Sequence, residues 1–128
     1  MQPIRIRLLL RACALAFAGI GGAFLVAPNA MGGFVELSLV GATADNDVRA
    51  VYGGLQIALG GLLWAASCRD EWLRPGLYAQ LILFSGLAAG RFVSWAVVGL
   101  PDDLGLALHA AEGIAIIAGV LCLRKLPA

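Results

Sequence analysis

Glu112, His109 and Arg91 are the residues of this chain best suited to chemistry, because each carries an ionisable group inside a stretch that is otherwise apolar. His109 and Glu112 are three positions apart, so on a helix they share a face. A carboxylate beside an imidazole can move protons in acid–base catalysis. Arg91 adds a permanent positive charge that can pair with a carboxylate through several N–H donors. Arg91 and Glu112 lie the same number of residues on either side of the Pro101–Asp102 turn, so folding the chain there brings them to one depth. A lone ionisable group in hydrocarbon costs about 3 kcal/mol or more, and two opposite charges at matched depth therefore read as a pair that faces protein.

Other polar residues extend the layer. Gln56, Arg91 and Glu112 each fall eight or nine residues in from the outer ends of their apolar runs, roughly 12 to 14 Å deep at the rise of an α-helix. His109 lies one turn nearer the outside than Glu112, with Ser94 as its counterpart across the turn and Trp95 beside it, while Arg49 and Tyr52 form a third level. The expected site is an outward-opening polar crevice lined by Arg49, Tyr52, Gln56, Arg91, Ser94, Trp95, His109 and Glu112, with His109 hydrogen-bonded to Glu112 or Ser94. Such a crevice suits a small ligand or substrate.

Two alternatives stand beside it. Glu112 and His109 are the candidate catalytic residues of an isomerase or hydratase acting on an apolar substrate, so enzymatic activity stays open. Equally, an Arg–Glu pair with a glutamine nearby can be a buried clamp that only holds helices together in an accessory subunit. A metal is not expected, since His109 and Glu112 fall short of a zinc or di-iron ligand set and a single histidine cannot provide bis-histidine haem ligation. No Ser-His-Asp set, phosphate loop or dinucleotide fingerprint is present, and no cofactor is required.

The elements that must position these residues follow from composition. The 128 residues are 61% hydrophobic and 13% charged, with a mean hydropathy of +0.90, whereas charged residues approach about a quarter of a soluble domain. The length admits four spanning helices of roughly 20 residues each. Hydropathy and breakers place them at about 8–27, 47–67, 75–99 and 103–123, in a single all-α domain over 1–128: an integral membrane bundle of four antiparallel helices. Pro28 stops the first span. Thr43 and Asp45 offer cap oxygens for the second, Pro75 suits the first turn of the third, and Asp102 and Asp103 favour the start of the fourth. The stretch Met31–Val40 is too short to cross and reads as an interfacial turn or short helix. In the second span Arg49, Tyr52, Gly53, Gln56 and Gly60 share one face, which glycines open to a close protein neighbour. Gly19, Gly21 and Gly22 offer the same on the first.

Charge sets the expected orientation. Arg5, Arg7, Arg11, Arg69, Arg74, Arg124 and Lys125 flank one set of helix ends, while Glu36, Asp45, Asp47, Asp102 and Asp103 occupy the other. By the positive-inside rule both termini of this multi-pass membrane protein are cytoplasmic. The basic residues are few and divided among three segments, so nucleic acid is not an expected partner. The bilayer itself, a lipid, a membrane protein or a second copy of the chain are. The run Leu8–Ala27 is longer than a signal-peptide core and lacks an A-x-A site, so it is expected to remain as the first helix. Cys13, Cys68 and Cys122 fall at cytoplasmic helix ends, where thiols stay reduced. Without a C-x-x-C spacing they read as small apolar residues.

The segment NDVRAVYGGLQIALG, followed by GRFVSW, a Gly-x-Pro-Asp turn and HAAEG, resembles the small bacterial membrane proteins of domain-of-unknown-function family 4345 across nearly the whole chain, which implies a bacterial inner membrane as its location. That family is in turn similar to DoxX-type four-helix proteins, some of whose relatives are linked to quinone-coupled or redox-maturation systems. The resemblance implies the four-helix fold and a set of shared positions, Arg49, Tyr52, Gly53, Gly54, Gly90, Arg91 and Glu112. It implies no activity, and a quinone or lipid partner follows only by analogy of fold.

Overall fold

Proline, glycine and one aspartate punctuate an otherwise continuous run of apolar helix formers. The computed structural model describes residues 2–126, and no strand occurs among them. Helix α1 spans Gln2–Val26 and is followed at once by the short α2, Pro28–Phe34, with Pro28 in its first turn. Helix α3, Gly41–Val48, passes without a break through a π-helical segment, Arg49–Gly54, into α4, Leu55–Ser67. A 3₁₀ turn at Asp70–Trp72 leads into α5, Leu73–Val97, and α6 covers Asp103–Arg124. Four helical stretches, Pro3–Val26, Gly41–Ser67, Asp70–Val97 and Asp103–Arg124, are long and apolar enough to cross a membrane. They are the spans of a multi-pass membrane protein.

Three helix starts differ from the sequence expectation, the first being that α1 begins at Gln2, six residues ahead of the expected Leu8. The second stretch starts at Gly41 instead of Asp47, with no side-chain hydrogen bond from the residue before it. The chain enters through the left-handed conformation of Gly41, φ +86°, which glycine adopts without penalty. Asp45 does not cap the helix: its carboxylate accepts from Arg49 Nε at 2.7 Å, one turn on, and this i,i+4 pair supports the added turns. The third helix begins at Leu73, two residues before Pro75. Pro75 still lies in the first turn, where its missing N–H leaves no hydrogen bond unmade.

The chain divides into two compact units, Arg11–Ala65 and the remainder on both sides of it. In the unit Arg11–Ala65, the glycine-bearing face of the second stretch does meet α1. A methyl at Gly60 would lie 2.7 Å from the Ala14 carbonyl oxygen, and one at Gly21 would lie 2.7 Å from the Gly53 carbonyl oxygen. Arg49 Nη1 donates to the Leu25 carbonyl, and Tyr52 sets its ring 5.3 Å from that of Phe24. Of the three glycines expected to open α1, only Gly21 has a close neighbour; Gly19 and Gly22 border open space.

In the other unit, Arg7 donates to the Ser67 carbonyl at the end of α4 and pairs with Asp70 at 2.8 Å. Ile6, Leu10, Leu73 and Leu77 are almost wholly buried. Gly76 sits where a methyl would meet Ala66 Cβ at 2.7 Å. The connection between α5 and α6 is tightly specified. Gly99 takes φ +105° and donates to the Trp95 carbonyl, the left-handed ending common to helices. Asp102 then caps α6 by accepting from Gly105 N at 2.8 Å.

Candidate functional site

Short connection and cap together fix the register of α5 against α6. Followed back from Trp95 to Gln80, the residues of α5 meet partners on α6 that advance from His109 to Gly119. Arg91 therefore meets Glu112, as the equal spacing about the turn predicts. Arg91 Nε donates to both oxygens of the carboxylate, at 2.8 Å to Oε1 and 3.0 Å to Oε2. Neither bond comes from Nη1 or Nη2, so the pair is not the two-nitrogen fork that arginine often makes with a carboxylate. The Glu112 side chain is 7% exposed and that of Arg91 33%. The Arg91 side chain thus stays partly open while that of Glu112 is enclosed.

His109 lies one turn away from Glu112, with its Nδ1 3.8 Å from Glu112 Oε2. That is too long for a hydrogen bond, and the buried Nδ1 has no hydrogen-bond partner. The expected bond from His109 to Glu112 or Ser94 is therefore not made. Aromatic rings explain where the imidazole goes instead. Phe92 meets it edge-on with ring centres 4.6 Å apart, Trp95 lies at 4.5 Å, and Phe92 and Trp95 stand 5.1 Å from each other. These are separations at which aromatic pairs attract. Trp95, not Ser94, is the α5 residue opposite His109; Ser94 is exposed.

The eight residues singled out from sequence divide between the two units. Arg91, Trp95, His109 and Glu112 come together on α5 and α6, with Ser94 on the same helix pair. Arg49, Tyr52 and Gln56 belong to Arg11–Ala65. There Arg49 already holds Asp45 and the Leu25 carbonyl, Tyr52 is half exposed beside Phe24, and Gln56 Oε1 is buried without a partner.

Two contributors escaped sequence reasoning. Phe92 was hidden by its neighbour Arg91, although its spacing to Trp95 puts both aromatics on one helix face. Gln80 is fully buried, and its Nε2 donates to the Ala115 carbonyl of α6 at 3.0 Å. Gly119 makes room for it, since a methyl there would collide with Gln80 Oε1. A glutamine in one apolar run and a glycine in the facing run were the available signal. Chemically, the cluster offers a carboxylate shielded by a guanidinium, unused N–H donors on that guanidinium, and an imidazole within one turn.

No curated protein and no solved structure matches the chain. A family model described as Domain of unknown function (DUF4345) matches residues 6–123, almost the whole of the span that carries these elements, and the chain belongs to that family.

Proposed function

We propose that Arg91, His109 and Glu112 form an intramembrane binding site for a lipid-like or quinone-like molecule, in a bacterial inner-membrane protein with four antiparallel spans and both termini in the cytoplasm. The similarity to DoxX-type proteins belongs to the same proposal. The observation that carries it is the Arg91 side chain, one-third exposed, which meets Glu112 through Nε alone. Its remaining N–H groups have no partner among the described residues, and unpaired donors are costly in an apolar setting. A ligand oxygen would satisfy them. The buried and unpartnered Nδ1 of His109 is a second group of the same kind.

The near-complete burial of Glu112 behind Arg91 favours one other reading, a structural clamp between α5 and α6. His109→Leu separates the two. Leucine removes a polar atom that lacks a partner, so stability should stay within about 1 kcal/mol of the parent. If the site binds a ligand, mass spectrometry of lipid extracts from gently purified protein should show a stoichiometric small molecule in the parent and less of it in His109→Leu. Equal amounts in both, or a bare parent, would leave the clamp.

A further inference from the structure

We infer that this site selects a neutral amphiphile presenting a carbonyl oxygen over an anionic or cationic one, an inference that rests on reading the cluster as a ligand site. Of the charged pair, the more accessible side chain is the one that carries donors only. Arg91 Nε lies 2.8 and 3.0 Å from the two oxygens of Glu112, and the Glu112 side chain is 7% exposed against 33% for that of Arg91. A guanidinium has five N–H donors and no acceptor. A cation would therefore meet positive charge with nothing to accept its hydrogen bonds.

An anion fares little better. It would be drawn to Arg91, but the Glu112 charge sits directly behind at hydrogen-bond distance and offsets a large part of that attraction. The rest must compete with the desolvation of a third charge in an apolar environment. A carbonyl oxygen loses far less hydration and still receives charge-assisted hydrogen bonds from Nη1 and Nη2. The rings of Phe92 and Trp95, in contact with each other and with His109, supply apolar surface at the same level. Phe92 is 56% exposed, so part of that surface is open to an incoming chain or ring.

The test uses the full chain in lipid nanodiscs, with adducts followed by native mass spectrometry as four probes are titrated. Monoolein carries a neutral ester carbonyl, a decyl-substituted benzoquinone a neutral ring carbonyl, oleate an anion and dodecylammonium a cation with N–H donors. At least one neutral probe should bind about tenfold more tightly than either charged one, the size expected of one hydrogen bond to a charged group. Which neutral probe wins identifies the source of the carbonyl. Glu112→Gln unmasks the arginine charge and should reverse the order of oleate and the neutral probes. The parent ranking decides by itself if that variant fails to fold. Oleate binding most tightly to the parent, with the binding lost in Arg91→Leu, would overturn neutral selectivity and leave the site standing. Binding of every probe unchanged by Arg91→Leu would overturn both.

Discussion

The interaction of Arg91 with Glu112 is where residue chemistry departs most from a bland apolar helix pair. Removing one partner leaves the other charge without compensation in a nonpolar setting, at a cost of about 3 to 5 kcal/mol for a buried pair, whereas replacing both with apolar side chains is often close to neutral. Part exposure of Arg91 puts Arg91→Leu toward the lower end of that range and Glu112→Leu below it, because the freed guanidinium can still find water or headgroups. The double variant Arg91→Leu/Glu112→Leu is expected to be more stable than Glu112→Leu paired additively with Arg91→Leu would allow. Thermal unfolding in detergent for the four proteins measures this directly. Simple additivity of the two single losses would show that the residues are not coupled.

Helix packing in the unit Arg11–Ala65 turns on which glycines approach a neighbour. Gly60 and Gly61 adjoin in sequence, yet a methyl at Gly60 meets the Ala14 backbone oxygen at 2.7 Å and one at Gly61 meets nothing within 4 Å. Gly60→Ala should destabilise by about 1 to 3 kcal/mol, because backbone cannot turn aside as a flexible side chain can. Gly61→Ala should leave stability unchanged or raise it by up to about 1 kcal/mol through lost chain entropy. Melting temperatures of the two variants give the comparison, and equal effects would contradict the close crossing. This contrast also shows how far the sequence could be read. Spans, the Pro101–Asp102 turn and the matched depth of Arg91 and Glu112 follow from hydropathy and counting. The face shared by Arg49, Tyr52, Gly53, Gln56 and Gly60 was likewise legible, since these residues or their neighbours do meet α1. What spacing could not supply was direction around the helix beyond one turn: it put Ser94 opposite His109 where Trp95 stands, and it could not choose Gly21 over Gly19 and Gly22. The π-helical segment Arg49–Gly54 was also invisible, because an i→i+5 turn leaves no distinct pattern of apolar residues.

For the whole molecule, seven of the nine basic residues lie in the two termini and the Arg69–Arg74 connection. If the positive-inside rule holds here, those segments face the cytoplasm. A cysteine substituted for the exposed Arg69 in a chain lacking its native cysteines should resist an impermeant thiol reagent added outside intact cells and react once the membrane is opened. Strong labelling in intact cells would reverse the orientation. The central claim, that the cluster on α5 and α6 holds a small molecule, is tested most directly by native mass spectrometry of protein released from its own membranes, comparing the parent with Arg91→Leu/Glu112→Leu. This double variant removes the site while sparing the chain an unpaired buried charge, so it separates binding from folding. The expected result is a stoichiometric adduct on the parent and none on the double variant, with both proteins melting cooperatively. An adduct of the same mass and occupancy on both, or a parent that carries none, would contradict a binding site at Arg91 and Glu112.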